Sequence, residues 1–512
     1  MRRFAFLLTG FAAVAATTAT AAAQTPPPAE LRLTVDEAVR MAMDNNVDLK
    51  AARLDPQIGD ARVAAATGAF RPTVSSSLQR NNQLQPPASF LVPIATRTDV
   101  MSSNVALGQR LPWFGTSYSF GWETSNTESN SFLNSYNPLD RSGLSFSISQ
   151  PLLRDLFTDA PRTQLNVSLT GRDVADTRLV ESLVRTTAAV KAAYWGLVSA
   201  RANIGARRMS LELAEELARV NKARVDVGQA PPLDLLAAQA EVAANQEQRI
   251  IAEASERLVE DRLRLLIYDA TDRSVWSIRL DPMDSPPVGM IALDIEQAVT
   301  SALRDRADLW RGQLDIENAD SQVALAGNQR LPDVRLNATY QASGLGGTEV
   351  LRSGGFPGTI IGAGADTGLG TALDQLFRGD YPTWAVGVSI AYPLGRSVEE
   401  ANHARSRLER DQAVERVKGA QARVIQQVRD AGWKAEMNAK RIEASRATRE
   451  LAEQRLDVER RRFEVGMSTS FLVIQAQRDL SEARTRELAA VLAYNLSLVD
   501  FEAVQRASVA GS

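Results

Sequence analysis

Apolar residues recur at seven-residue intervals in two long stretches of this chain, about 160–227 and 398–465. The first stretch carries Leu183, Val190, Leu197, Ile204, Leu211, Ala218 and Val225. The second carries Val428, Ala435, Ile442, Leu456 and Phe463, with Arg449 interrupting the series. A strict seven-residue repeat predicts long helices with narrow apolar seams, packed in a left-handed coiled arrangement. At 1.5 Å per residue, ~65 residues form a rod of roughly 100 Å.

Each long helix is predicted to end at a glycine, Gly228 or Gly466, because glycine takes the left-handed backbone that ends helices without a steric penalty. Shorter helices are then expected to return over about 233–268 and 471–506. The helical part of the molecule is therefore predicted as two long hairpins, over residues 160–268 and 398–506.

Strand-like sequence precedes each long helix. Apolar and polar residues alternate over 73–79 and 143–150, and again over 333–341 and 383–391. Period-two alternation predicts a sheet with two unlike faces. The Gly-, Ser- and Asn-rich stretches between these strands, notably 124–142 and 343–380, are predicted to be exposed loops.

Ala-rich helices are predicted ahead of the strands, over about 35–68 and 295–328. Pro72 and Pro332 end their helical pattern, because proline cannot continue a helix. The strand-bearing regions are thus bounded as 72–151 and 332–393.

The chain also matches itself without gaps. Residues 33–74 align with 293–334, with identities that include Ala38/Ala298, Asp48/Asp308, Leu49/Leu309 and Pro72/Pro332. Residues 195–239 align with 433–477, with Trp195/Trp433, Arg224/Arg462, Val227/Val465 and Gly228/Gly466 among the identities. The matches predict two tandem structural repeats, 24–270 and 271–512, each ordered as helix, barrel strands, long helix, tip turn and short helix.

Composition argues against several kinds of chemistry. The chain has 512 residues, no cysteine and a single histidine, His403. A disulfide framework, a thiolate metal site and a His-based triad are therefore not expected. The net charge of −3 gives no electrostatic argument for a nucleic-acid partner. We expect no enzyme, no catalytic residue, no cofactor and no bound metal.

The N-terminus is predicted to be a signal peptide, residues 1–23. Arg2 and Arg3 give a positive start, residues 4–14 form a short apolar run, and three alanines at 21–23 provide a cleavage site. No other stretch has ~20 consecutive apolar residues, so no transmembrane helix is expected.

Strands that face lipid must close into a barrel, because backbone amides cannot stay unpaired in a bilayer. About four strands per protomer are too few, since ~8 is the practical minimum. Three copies would supply twelve strands in a closed ring of identical contacts. The sequence therefore predicts a homotrimer, with a membrane β-barrel joined to a long α-helical barrel.

Residues 103–123 depart from this pattern, since they predict an extra hairpin that turns between Pro112 and Gly115. The preferred interpretation puts these extra strands outside the membrane. The alternative is that they widen the barrel.

Aromatic side chains near the strands are predicted to form belts at the bilayer interfaces. The candidates are Trp113, Trp122, Tyr381 and Trp384, with Phe114, Tyr118, Phe120 and Tyr392 as further members.

This order of elements resembles the TolC family of outer-membrane efflux proteins, over essentially all the mature chain. The matching motifs include the prolines that close the two strand pairs, Pro151 and Pro393, which together with Pro72 and Pro332 are the predicted strand–helix junctions. They also include the turn segments that run from Arg224 to Leu236 and from Arg462 to Val473. The resemblance implies an outer-membrane channel of a Gram-negative bacterium with a long periplasmic extension. It also implies a periplasmic adaptor (membrane fusion) protein and an inner-membrane pump of the RND, ABC or MFS class.

The resemblance further implies candidate site residues at the periplasmic tip. Adaptor contact is implied for Arg224, Val227, Gly228, Asp234, Arg462, Val465 and Gly466. Some family members carry aspartates where this chain has Leu472 and Gln475, so an acidic constriction is in doubt. A constriction closed by packing of Phe471 and Leu472, with Gln475 beside them, is the hypothesis for this chain.

Two other functions stay open at this point. A structural periplasmic coiled-coil protein without a pore would explain the heptads but not the alternating strands. A periplasmic glycosidase needs only carboxylates, but the repeat and the absence of a compact fold pattern disfavour it. The resemblance leaves drugs, metal ions, siderophores and proteins as possible cargo.

Overall fold

The computed structural model describes residues 30–87, 94–287, 289, 291–355, 358–392, 394–395 and 397–507. The predicted signal peptide, residues 1–23, and Pro393 lie outside the described residues. Within the described ranges, no helix is long and apolar enough to cross a membrane.

The elements of both halves follow the same broad order. The first half contains β1 (Glu30–Leu33), α1 (Val35–Asn45), α2 (Val47–Ala52), α3 (Leu54–Thr67), β2 (Thr73–Gln85), β3 (Thr96–Arg110), β4 (Ser117–Ser129), β5 (Tyr136–Pro151), α4 (Ala160–Asp226) and α5 (Pro232–Ile267). The second contains β6 (Arg279–Pro282), α6 (Ile295–Asp305), α7 (Ala307–Gln329), β7 (Asp333–Ser353), β8 (Thr359–Asp366), α8 (Gly368–Arg378), β9 (Pro382–Ala391), α9 (Val398–Glu464) and α10 (Ser470–Val504).

The two long helices form as predicted, with 67 residues each. Asp159 and Ser397 begin them, and each side-chain oxygen accepts a hydrogen bond from a backbone N–H of the first turn. α5 packs along α4, α10 packs along α9, and α10 also contacts α4. The helices therefore lie side by side in one layer.

The single Ala-rich helices predicted over 35–68 and 295–328 are wrong, because each is broken. Asn46 interrupts the first, and its Oδ1 accepts from Leu49 N at 3.0 Å to start a new helix. Arg306 interrupts the second helix, because its backbone is extended. Its Nε donates to Asp308 Oδ1 at 2.8 Å. These local side-chain interactions leave the apolar periodicity intact, so the pattern alone did not reveal the breaks.

Seven of the described strands build one sheet in the order β2-β3-β4-β5-β7, with β8 and β9 both paired to the far edge of β7. The prediction of about four strands is wrong for this sheet. The hairpin at 103–123 lies within β3 and β4, between β2 and β5 of the sheet.

The predicted loops at 124–142 and 343–380 are also largely wrong. The first is mostly the paired ends of β4 and β5, and the second contains the end of β7, β8 and α8. Their Gly, Ser and Asn content suggested loops, whereas small polar residues in fact cover one face of this sheet.

Buried apolar residues form several small clusters within the described chain. The largest surrounds a parallel pair of short strands, β1 and β6, and includes Tyr194, Leu197 and Leu263. Tyr194 is fully buried, and its hydroxyl donates to Leu33 O at 2.9 Å. Burial raises the pKa of Tyr194 to about 12. Further clusters lie along the helix seams and behind the helix tips.

Candidate functional site

Both long helices end in the same glycine turn. Gly228 and Gly466 have φ of 75° and 77°, the left-handed backbone that glycine takes freely. In the first turn, Gln229 N donates to Arg224 O at 2.7 Å, and Met467 N donates to Arg462 O at the same distance in the second. This pairing satisfies carbonyls that would otherwise lack partners at the helix ends. The predicted end of each long helix is therefore found.

The first tip is fastened to the second through Arg224. Its guanidinium carbon lies 4.2 Å from the ring centre of Phe463, and its Nη2 donates to Phe463 O at 3.0 Å. A cation at the C-terminal end of a helix also stabilises the helix dipole. Arg224 therefore binds the C-terminal end of α9 in the neighbouring hairpin, a contact that the sequence did not reveal.

Asn221 forms a second connection behind the tips. It is fully buried, and its Nδ2 donates to Asp234 O at 3.1 Å and to Ser470 Oγ at 2.6 Å. One side-chain amide thus joins α4, the start of α5 and the start of α10. Asp234, a predicted tip residue, contributes its backbone carbonyl to this contact.

The second tip uses a different residue at the matching repeat position. Glu459 accepts from Ser468 Oγ at 2.6 Å across its own turn, and Arg462 Nη1 donates to Glu459 at 3.4 Å. The hydrogen bond from Ser468 holds the pKa of Glu459 below its ordinary value.

The surface beyond these turns is apolar. Val227 and Val465 are 67% and 70% exposed at the two helix ends. Further exposed apolar side chains of the tips are Leu233, Leu236, Met467, Phe471 and Leu472. A patch of this kind on the end of a long protein indicates an interaction surface.

The predicted constriction residues lie at the start of α10. Phe471 is 69% exposed in the single chain, and Leu472 lies next to it. Gln475 donates from Nε2 to Asp479 Oδ1 at 2.9 Å, and Asp479 also pairs with Arg455 at 2.7 Å. Phe471 is therefore largely exposed and Leu472 partly exposed in the single chain, whereas Gln475 is engaged in a polar network.

Arg449, which interrupts the heptad series, belongs to a charged network between α9 and α10. Its Nε contacts Glu487 at 2.5 Å and its Nη1 contacts Glu453 at 2.7 Å. Arg484 completes the network on Glu453 at 2.9 Å. Burial acts to raise the pKa of Glu453, and hydrogen bonds from Arg484 and Arg449 outweigh it, so the pKa is lowered.

The sheet has one continuous apolar face. A single row of paired residues crosses six strands, from β2 to β9: Val74, Leu107, Phe120, Phe146, Tyr340 and Trp384. The next row contains Val105, Trp122, Leu144 and Ala342. In the described chain much of this face is exposed, with Val74 and Trp384 both at 73%. A sheet in water does not leave such a face uncovered.

The opposite face is small and polar. One of its rows contains Ser75, Ala106, Gly121, Ser145, Gln341 and Thr383. Apolar residues on one face and small polar residues on the other are the alternation of strands between lipid and a water-filled lumen.

The predicted belt aromatics are divided between two places. Trp122 and Trp384 lie on the apolar face, and Tyr381 is exposed just before β9. Trp113 lies instead in the turn between β3 and β4, at the end of the sheet that meets the helices. Phe120 shares a row with Trp384, so the structure brings these two predicted residues onto one line.

Three predicted junction prolines flank the passage from sheet to helix. Pro72 and Pro332 directly precede β2 and β7, and Pro151 ends β5. Asp155 holds this region together, because Arg335 Nη2 and Gln329 Nε2 contact its carboxylate at 2.9 and 2.7 Å. The charged cluster around Asp155 had no signal in the sequence.

A single-layer sheet with an apolar face, joined to two long helical hairpins, defines the class of outer-membrane channels with a helical extension. Residues 298–504 match the family model described as outer membrane efflux protein. The resemblance recognised in the sequence is confirmed.

Solved structures share the fold over nearly the whole chain. A membrane protein from Pseudomonas aeruginosa has a TM-score of 0.66 at 16% identity, with 92% of this chain and 93% of that chain covered. The Campylobacter jejuni CmeC outer membrane channel has 0.64 at 15%, covering 92% and 85%. The outer membrane protein VceC from Vibrio cholerae has 0.63 at 15%, covering 92% and 96%. No curated protein matches the sequence.

Proposed function

We propose that three copies of this chain form an outer-membrane channel, the passive exit duct of a tripartite efflux or secretion system. The observation that carries the proposal is the sheet, which is apolar on one face across six strands and small and polar on the other. Closed into a ring, it presents the apolar face to lipid and the polar face to a lumen. A coiled-coil protein without a pore would leave such an apolar face exposed to water.

The family match supports the outer-membrane location and the export role. In this assembly the helices continue the barrel as a periplasmic tunnel, over residues 160–268 and 398–506. The two tandem repeats, 24–270 and 271–512, give the trimer an approximate sixfold arrangement of hairpins. The repeated order of elements supports them.

The helix tips are the proposed contact surface for a periplasmic adaptor. Exposed Val227 and Val465, beside the two glycine turns, offer apolar contacts to it. Energy for transport comes from an inner-membrane pump of the RND, ABC or MFS class that the adaptor connects to the tunnel.

The proposed constriction consists of Phe471 and Leu472 from the three copies. Single-channel conductance in planar lipid bilayers tests the function and the constriction together. The purified chain is expected to insert and conduct, and the double variant Phe471→Ser, Leu472→Ser is expected to conduct more. A chain that never inserts contradicts the channel, whereas equal conductance of both forms contradicts only the constriction.

A further inference from the structure

The β3–β4 hairpin is an integral part of the sheet. It pairs with β2 without a break from Thr73↔Gly108 to Gln85↔Thr96, and β3 pairs with β4 from Thr98↔Ser129 to Arg110↔Ser117. Removing this hairpin from the sheet would leave the backbone groups on one side of β2 and on one side of β5 without partners.

The hairpin also carries the same two faces as its neighbours. Leu107 and Phe120 stand between Val74 on β2 and Phe146 on β5 in one apolar row. On the other face, Gly121 pairs with Ser145. A hairpin built for solvent on both sides would have no need for this continuity.

The turn of the hairpin is fixed to the base of the sheet. Gly115 has φ of 63°, and a Cβ placed there would lie 2.4 Å from Asp155 O. Gln150 Nε2 donates to Phe114 O at 2.9 Å. The hairpin therefore ends at the same level as the other strands, where the sheet meets the helices.

Two edges of the sheet are open. All residues of β2 and all residues of β9 are exposed, and among the described residues neither strand has a partner on its outer side. Consecutive antiparallel pairing through six strands makes β2 and β9 run in opposite directions. The β9 edge of one copy is therefore oriented to pair antiparallel with the β2 edge of the next.

The apolar residues cross the sheet at a slant. On β9 they extend from Trp384 towards the helices, to Ile390, whereas on β2 they extend from Val74 away from the helices, to Leu78. The offset is about one residue per strand, or about 3.4 Å for each ~4.8 Å of strand spacing, which corresponds to a tilt of about 35°. Strands of membrane barrels have this tilt.

We propose that each copy contributes six barrel strands, β2, β3, β4, β5, β7 and β9, so that the trimer closes an eighteen-stranded barrel. This rests on the proposed channel function and goes beyond it. Because barrel diameter grows nearly in proportion to strand number, the lumen is about one and a half times as wide as in a twelve-stranded barrel. The occupant of each open edge is a second copy of this chain.

Distances between spin labels in the purified trimer test the strand number. The chain has no cysteine, so Val386→Cys places one label per copy on the apolar face. For labels outside the barrel wall, we expect a distance between copies of about 40 Å with eighteen strands and about 30 Å with twelve.

A variant that lacks residues 96–129 provides a reference distance for a barrel with four strands per copy. The deletion removes β3 and β4, and it leaves Val74 and Phe146 on the same face, so β2 can pair with β5. We expect the Val386→Cys distance to shorten by about 10 Å in this variant. A label at Met437→Cys, in the middle of α9, reports whether the helical part is unchanged.

The outcomes separate the two proposals. About 40 Å in the full chain supports the six-strand contribution, even if the deletion variant does not fold. About 30 Å in the full chain overturns it and leaves the trimeric channel intact. Absence of any distance between copies at both label positions overturns the trimer itself.

Discussion

The sheet and the helical array are both single layers, but they expose their apolar residues differently. In the sheet, Val74 and Trp384 are 73% exposed, at opposite edges of the same row. In the helices, Leu197 and Val428 are fully buried in seams between neighbours. The helical hairpins therefore satisfy much of their packing within one chain, whereas in the proposed channel the sheet depends on lipid and on further copies.

A charge on the apolar face of the sheet is expected to have the largest effect. We expect Val386→Arg to destabilise the barrel by about 2–4 kcal/mol per subunit, because an arginine must enter the bilayer. Heat-resistant trimers in outer-membrane fractions should be lost. The matched control is Ala385→Arg, one residue away on the polar face, which should assemble normally. Equal assembly of both variants would remove the distinction between the faces.

The buried connection at the tips gives the next largest effect, and it tests whether the helical array is held within one chain. Asn221→Ala removes both hydrogen bonds of the side-chain amide and leaves Ser470 buried without that partner. We expect a loss of about 1–3 kcal/mol, read as faster hydrogen exchange in the two tip turns. Lys222→Ala, at the exposed neighbouring position, should leave exchange unchanged. Equal protection in both variants would mean that the tips are held by other contacts.

The charged network at Arg449 tests how far polar contacts stabilise the seam between α9 and α10. Arg449→Met keeps the length of the side chain but removes contacts to Glu487 and Glu453. We expect a loss of about 1 kcal/mol, seen as a lower midpoint of helix melting by circular dichroism. Arg446→Met is the control, since Arg446 lies 3.7 Å from Glu487 and is half exposed. A larger loss of stability in Arg446→Met than in Arg449→Met would mean that Arg446 is the main partner of Glu487.

The smallest effect concerns pH at the second tip. The pKa of Glu459 is lowered by its hydrogen bond from Ser468, so its contribution is present above the ordinary value of 4.5 and is lost as pH falls through the lowered one. Hydrogen exchange at the Gly466 turn should therefore speed up below about pH 4. In Glu459→Gln this additional acid response should be absent. A variant that responds to acid as the natural chain does would contradict the assignment.

Sequence reasoning succeeded where a pattern is long and regular. The heptads located α4 and α9, and the two glycines marked their ends to within two residues. It failed where one composition suits two structures. Ser, Gly and Asn in 124–142 suggested a loop, but the same residues form the polar face of paired strands.

Of the candidate site, only the part with a regular signature in the sequence was predicted. The glycine turns have a conformational signature, whereas the connection from Asn221 to Ser470 joins residues 249 positions apart. Arg224 was singled out for its place near a turn, yet its contact with Phe463 depends on how two hairpins pack. Only the folded array brings these side chains together.

Native mass spectrometry of the protein extracted from outer membranes is the most direct test of the trimeric channel. We expect a complex of three chains that stays in solution only with detergent or a lipid disc, because its apolar strands face outward. A single chain that remains dispersed in plain buffer would contradict it.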